Sequence, residues 1–130
     1  MYKRQVYGGW IDHLARRGYL VVFPIFQDVG RTRPPDASAR VTRILKAALP
    51  VLAADPAAKA DLTRLAVIGH SAGAGLAANV AADAKAAGLP QPKLALMLMP
   101  GGIASDEKSR GIQLADLAQI PADTLSLIHI

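Results

Sequence analysis

The order of apolar and polar segments predicts an α/β protein with a mostly parallel sheet and helices on both faces. Three observations carry that prediction. Leu20–Phe26, Leu65–Ile68 and Leu94–Met99 are continuous apolar runs, the mark of strands buried on both faces. Apolar residues at helical spacing fill the intervals between them. Strand, helix, strand, helix, strand in this order argues a doubly wound sheet. The chain has 130 residues and is 52% hydrophobic, enough for one modest domain that buries a core.

Each element has a local reason. From Val6 to Gly18, Trp10, Ile11, Leu14 and Ala15 recur at helical intervals, and Gly18 is placed to end the helix. His13 sits on this helix and reads as an exposed helix histidine. Gly8-Gly9 reads as helix entry. Leu20–Phe26 follows as a buried strand with Pro24 near its end, where a missing N–H is tolerated. The loop Gln27 to Pro35 is rich in Gly, Arg and Pro; its Asp28 reads as a carboxylate pairing with Arg31 or Arg33. Asp36 can cap a helix carrying Val41, Ile44, Leu45, Ala48, Val51 and Leu52, with a kink expected at Pro50.

Past the strand at Leu65–Ile68, Ala74 to Ala87 is a helix of mostly alanine and glycine, small enough to lie close to a sheet. Asn79 reads as a packing polar residue. Gly88-Leu89-Pro90 ends the helix. Met97 and Met99, at strand spacing, read as core, and Pro100-Gly101-Gly102 closes their strand. Gly102 to Asp123 reads as a mixed loop and short helical region.

The stretch that bears chemistry is Leu65 to Ala78. Gly69-x-Ser71-x-Gly73 has nucleophile-elbow spacing, with a strand before it and a helix after it. A sharp strand-to-helix turn strains the nucleophile's backbone, and glycines two residues to either side are expected to remove collisions. Ser71 would then stand at the carboxyl end of its strand. A developing oxyanion would be met by the helix N-terminus and by the N–H of Ala72.

The formal charge of +5 comes from 15 basic and 10 acidic residues, scattered rather than clustered. Arg16-Arg17 and Arg31-x-Arg33 are the local concentrations, without interleaved aromatics, so a nucleic-acid partner is not expected. No apolar run approaches the roughly 18 to 20 residues that span a bilayer. The chain has no cysteine, which removes disulfides, thiol nucleophiles and cysteine zinc sites. No metal and no cofactor is expected.

Both ends read as foreign. Met1-Tyr2-Lys3-Arg4-Gln5 can be encoded GTG TAT AAG AGA CAG, with GTG as the start codon. The opposite strand reads CTG TCT CTT ATA CAC, or Leu-Ser-Leu-Ile-His, which is Leu125 to His129. Such an inverted repeat resembles a transposase-adaptor sequence translated at both sides. Residues 1–5 and 125–130 are therefore expected to be non-native, and residues 6–124 the native segment. Without Lys3 and Arg4 the balance is 13 basic to 10 acidic residues.

At the Gly69-His70-Ser71-Ala72-Gly73 turn, and along Trp10-Ile11-Asp12-His13-Leu14-Ala15-Arg16-Arg17-Gly18-Tyr19-Leu20-Val21-Val22, the sequence resembles the α/β-hydrolase superfamily. Its likeness is to the esterase, lipase and acetylhydrolase branches. The resemblance implies a partial α/β-hydrolase fold with the first strands and C-terminal strands missing. It also implies a serine hydrolase acting on a small-molecule ester or acyl substrate through a Ser-His-acid triad. Ser71 matches the nucleophile and Ala72 the oxyanion donor. His70 matches the variable position before the serine, whose side chain points away from it. The triad acid and histidine would follow Thr124, and the second oxyanion donor would precede Val6. The implied sheet order leaves an empty position between Leu20–Phe26 and Leu65–Ile68, so the 130 residues alone are expected to fold poorly or aggregate through unpaired edges.

Two other classes compete. Gly73-x-Gly75-x-x-Ala78 loosely matches a dinucleotide-binding fingerprint, although Gly69 to Ala72 intervene between it and the strand. A catalytically silent hydrolase-fold binding protein is the third reading.

Overall fold

The computed structural model describes residues 2–27, 34–106, 108–109 and 111–130. Its elements run α1 (Tyr2–Arg16), α2 (Pro34–Ala54), β1 (Ala66–His70), α3 (Ala72–Ala87), β2 (Leu94–Leu98) and β3 (Leu125–His129). Short 3-10 turns occupy Leu62–Arg64 and Leu117–Gln119. Asp28, Arg31 and Arg33 lie outside the described residues.

α1 ends where its sequence predicts. Gly18 adopts φ 86°, and the N–H groups of Gly18 and Tyr19 donate to the carbonyls of Ala15 and Leu14 at 3.0 and 3.2 Å. α2 starts at Pro34, because first-turn N–H groups have no helical acceptor and proline loses nothing there. Asp36 is therefore inside the first turn rather than ahead of it, where its charge still faces the positive end of the helix. Ala37, Val41, Leu45 and Leu49 bury one stripe of α2 against α3. Val51, expected on the apolar face, is 68% exposed.

The expectation for Leu20–Phe26 is corrected. The segment is in no sheet; Leu20 and Ile25 are 48% and 73% exposed, while Val22 and Phe26 pack on the core shared by α2 and α3. A strand exists only through the ladder it makes with a neighbour. The sheet ends at β1, and that neighbour is what the segment does not have.

The sheet has the order β1-β2-β3 with both pairings parallel. Val67 is opposite Ala95, and Gly69 opposite Met97, in the β1–β2 register. Val67, Ala95 and Met97 meet Ala74, Ala78 and Ala81 of α3 in one cluster. Alanines at this contact bring the helix close to the sheet, and Ala81 and Ala95 are both fully buried. On the opposite face Ile68 is 38% exposed.

β3 pairs along its whole length with β2, yet every one of its residues is exposed. Thr124, immediately before it, is buried and donates its hydroxyl to the Pro92 carbonyl at 2.8 Å.

Candidate functional site

β1 and α3 are joined through Ser71, and the turn is held on both sides. The Ser71 N–H donates to the Leu98 carbonyl at 3.0 Å, extending the β1–β2 ladder, and its carbonyl accepts from the Ala74 N–H at 2.9 Å as α3 begins. Between these anchors Ser71 adopts φ 56° and ψ −124°. A non-glycine residue held at positive φ costs of order 1–3 kcal/mol and persists only where its surroundings fix it. The side chain is exposed and makes no capping bond to its own helix.

The two flanking glycines differ. A Cβ on Gly69 would lie 1.9 Å from the Gly73 carbonyl oxygen and 2.7 Å from the Ala74 nitrogen. Apart from its chain neighbours and the nearby backbone of its own helix, no described atom lies within 4 Å of where a Cβ on Gly73 would stand. The expectation that both positions relieve a collision is thus corrected: only Gly69 does, because strand and helix backbones touch at its Cα.

Ala72 is the first residue of α3, half-buried, and its N–H precedes the first possible helical acceptor. His70 lies one residue before Ser71 and is exposed. Its Nδ1 is hydrogen-bonded to the Tyr7 hydroxyl of α1 at 2.8 Å, and the Tyr7 ring, which meets it edge-on, also contacts Phe23. His13 is exposed on α1, and His129 ends β3, where its carbonyl accepts from the Met99 N–H at 2.6 Å. Among the described residues no histidine or carboxylate is hydrogen-bonded to Ser71. No group of three or more metal-ligating side chains converges among them either.

One wall of the site was not legible in the sequence. Met99, expected in the core beside Met97, is 59% exposed, because the strand stops at Leu98 and Met99 turns at φ 45°. That turn sends Pro100-Gly101-Gly102 back across the start of α3. A Cβ on Gly101 would stand 3.5 Å from Ser71 Oγ, and one on Gly102 would stand 3.5 Å from the Ala72 Cβ. The Pro-Gly-Gly run was the available signal, read only as a strand end.

The chain beyond the wall is anchored on α3. Ile103 and Ile112 form a bridge, with the Ile112 N–H donating to the Gly102 carbonyl at 2.7 Å, and both side chains cover Gly75. Buried Asn79 donates to Ser38 Oγ and to the Gln113 carbonyl and accepts from the Ala115 N–H, at 2.9, 2.7 and 2.8 Å. Gly73 and Gly75 therefore lie inside α3, with Gly75 under two isoleucines rather than in a strand-to-helix loop. That placement removes the phosphate cradle which the dinucleotide reading requires.

A parallel strand, a strained serine and a helix packed back onto the strand define an α/β protein of the hydrolase-fold class. A family model of the alpha/beta hydrolase fold matches residues 10–128, and the chain belongs to that family. No curated protein and no solved structure matches the chain. The family is one of hydrolase-fold proteins, and no described helix is long and apolar enough to cross a membrane.

Proposed function

We propose that Ser71 is the nucleophile of a serine hydrolase that cleaves carboxylic esters, and that residues 6–124 are part of its α/β-hydrolase domain. The observation that carries this reading is the strained, doubly anchored Ser71 backbone at the carboxyl end of β1, with its hydroxyl exposed. A base removes the hydroxyl proton as Oγ attacks the acyl carbonyl carbon. The Ala72 N–H donates to the oxygen as it gains negative charge. On collapse the leaving alkoxide takes that proton from the base and departs as the alcohol, leaving an acyl group on Ser71. Water, losing a proton to the same base, then attacks the acyl carbonyl, and the acid is released as Ser71 Oγ takes the proton back.

The base and its orienting acid are assigned to a longer protein, outside residues 6–124. His70 is not assigned as the base: its ring is turned toward Tyr7 of α1, and among the described residues no hydrogen bond joins it to Ser71. Residues 1–5 and 125–130 are proposed to be adaptor-derived. The change at Thr124, from a buried, hydrogen-bonded side chain to five consecutive exposed ones, supports that boundary.

A fluorophosphonate probe applied to the longer protein tests the assignment. Labelling that disappears in Ser71→Ala is the expected result. A folded longer protein that takes up no label would instead favour the catalytically silent binding protein.

A further inference from the structure

We propose that Gly101 is a specificity-determining position, at which the absence of a side chain opens room beside Ser71 for esters with branched or aromatic acyl groups. The proposal rests on Ser71 acting as nucleophile. Three features of the chain around Gly101 support it.

The first is clearance. A methyl group on Gly101 would stand 3.5 Å from Ser71 Oγ and 3.9 Å from the Met99 carbonyl oxygen, with no other described atom of a non-adjacent residue within 4 Å. Ordinary van der Waals contact with the attacking oxygen would thus be reached by one carbon, and a larger side chain would fill the space where an acyl substituent must sit.

The second is that nothing else requires glycine there. The glycines at positive φ are Gly18, Gly88, Gly102 and Gly111 among the described residues. Gly101 is not one of them, so alanine fits its backbone without strain. Most glycines with a close neighbour in this chain have backbone or core side chains against them; Gly101 has the reactive oxygen.

The third is rigidity. A wall selects by size only if it cannot retreat. The Leu98 carbonyl, just before the turn, is tied to the Ser71 N–H, the Gly102 carbonyl to the Ile112 N–H, and residues 113 and 115 to buried Asn79. The segment is therefore clamped to the serine turn on one side of Gly101 and to α3 on the other. Asn79 is in this sense a positioning residue, acting on the wall and not on substrate.

The test uses the longer protein and p-nitrophenyl esters of acetic, pivalic and benzoic acid, with Gly101→Val and the milder Gly101→Ala. In Gly101→Val, kcat/KM for pivalate and benzoate should fall by about tenfold or more, with acetate within about twofold of the parent, since a few carbons in a fixed pocket discriminate on this scale. Gly101→Ala should shift the same ratio in the same direction by less, with the thermal midpoint and labelling of Ser71 by a small methyl fluorophosphonate unchanged. An equal fall for all three esters, or no change for any, overturns the proposal while leaving the hydrolase reading intact. Absence of Ser71 labelling in the unsubstituted protein overturns the hydrolase reading itself, and the proposal with it.

Discussion

The unit β1–α3–β2 and the segments that flank it are built from equally apolar sequence, yet they end in opposite states. In α3, ten residues from Ala74 to Ala84 are buried, and Ala95 and Met97 of β2 are covered by them. In Leu20–Phe26 and in β3, by contrast, Leu20, Ile25, Leu125, Leu127 and Ile128 are each close to half exposed or more. Hydrophobicity is thus not what separates the regions. A parallel strand is buried by a ladder neighbour together with a helix packed on its face. β1 and β2 have a neighbour and α3, Leu20–Phe26 has no ladder, and β3 has a ladder but no helix packed on it.

The sharpest way to break the central unit is Gly69→Ala. Its Cβ would meet backbone rather than a movable side chain, so strand and helix must separate. Denaturant unfolding of the longer protein should show a loss of at least about 3 kcal/mol. Gly73→Ala is the control: its surroundings are open and alanine is the better helix former, so its effect should stay within about 1 kcal/mol and lean toward stabilisation. Equal losses at the two positions would show that the close approach at Gly69 is not what constrains the turn.

Next in size is Asn79→Ala. The substitution leaves the Ala115 N–H and the Gln113 carbonyl without their partner in a nearly dry site, an expected cost of about 2–3 kcal/mol. Ser38→Ala, which removes one hydroxyl acceptor from the same side chain, should cost less, about 1 kcal/mol. Amide exchange of Ala115 should accelerate in Asn79→Ala and not in Ser38→Ala.

What was legible in the sequence follows the same division. The serine turn, α3 and its two strands were readable because their signals are local: an apolar run, a G-x-S-x-G spacing, a run of alanines and a glycine stop. The fate of Leu20–Phe26 was not local. Its composition is that of a buried strand, and only the identity of its neighbour decides whether it becomes one. Met99 failed for a related reason, since alternation along β2 predicts its face but not the residue at which the strand stops. Gly101 was legible as a turn residue, but its position beside Ser71 depends on anchors at Ile112 and Asn79, which no spacing rule connects to it.

At the periphery the expected effects are small, and that is what sharpens the contrast. Leu127→Thr, on a strand that is 47% exposed at this position, should change the unfolding free energy by less than about 0.5 kcal/mol, whereas Met97→Ala, at the buried β2 position paired with Ile128 of β3, should cost about 2–4 kcal/mol. Leu127→Thr should also reduce aggregation measured by light scattering, because it makes an uncharged, exposed edge strand more polar. A Leu127→Thr loss as large as that of Met97→Ala would mean that β3 is packed, and would argue against an adaptor origin for residues 125–130.

The smallest effect concerns the charge pair that precedes β2 and β3. Lys93 Nζ is hydrogen-bonded to the Asp123 carboxylate, and this bond, with the lysine charge behind it, holds the Asp123 carboxyl below its ordinary value of 3.8. A carboxyl whose folded value is depressed adds stability above its unfolded value. That contribution is lost as pH falls from about 3.8 through the folded value, when the native state too takes up the proton. Asp123→Asn should therefore be slightly less stable than the parent near neutral pH and indistinguishable from it in stronger acid. Both side chains are more than half exposed, so added salt should shrink the neutral-pH difference. A difference that persists unchanged at low pH would assign the role of Asp123 to the turn that carries Thr124 rather than to its charge.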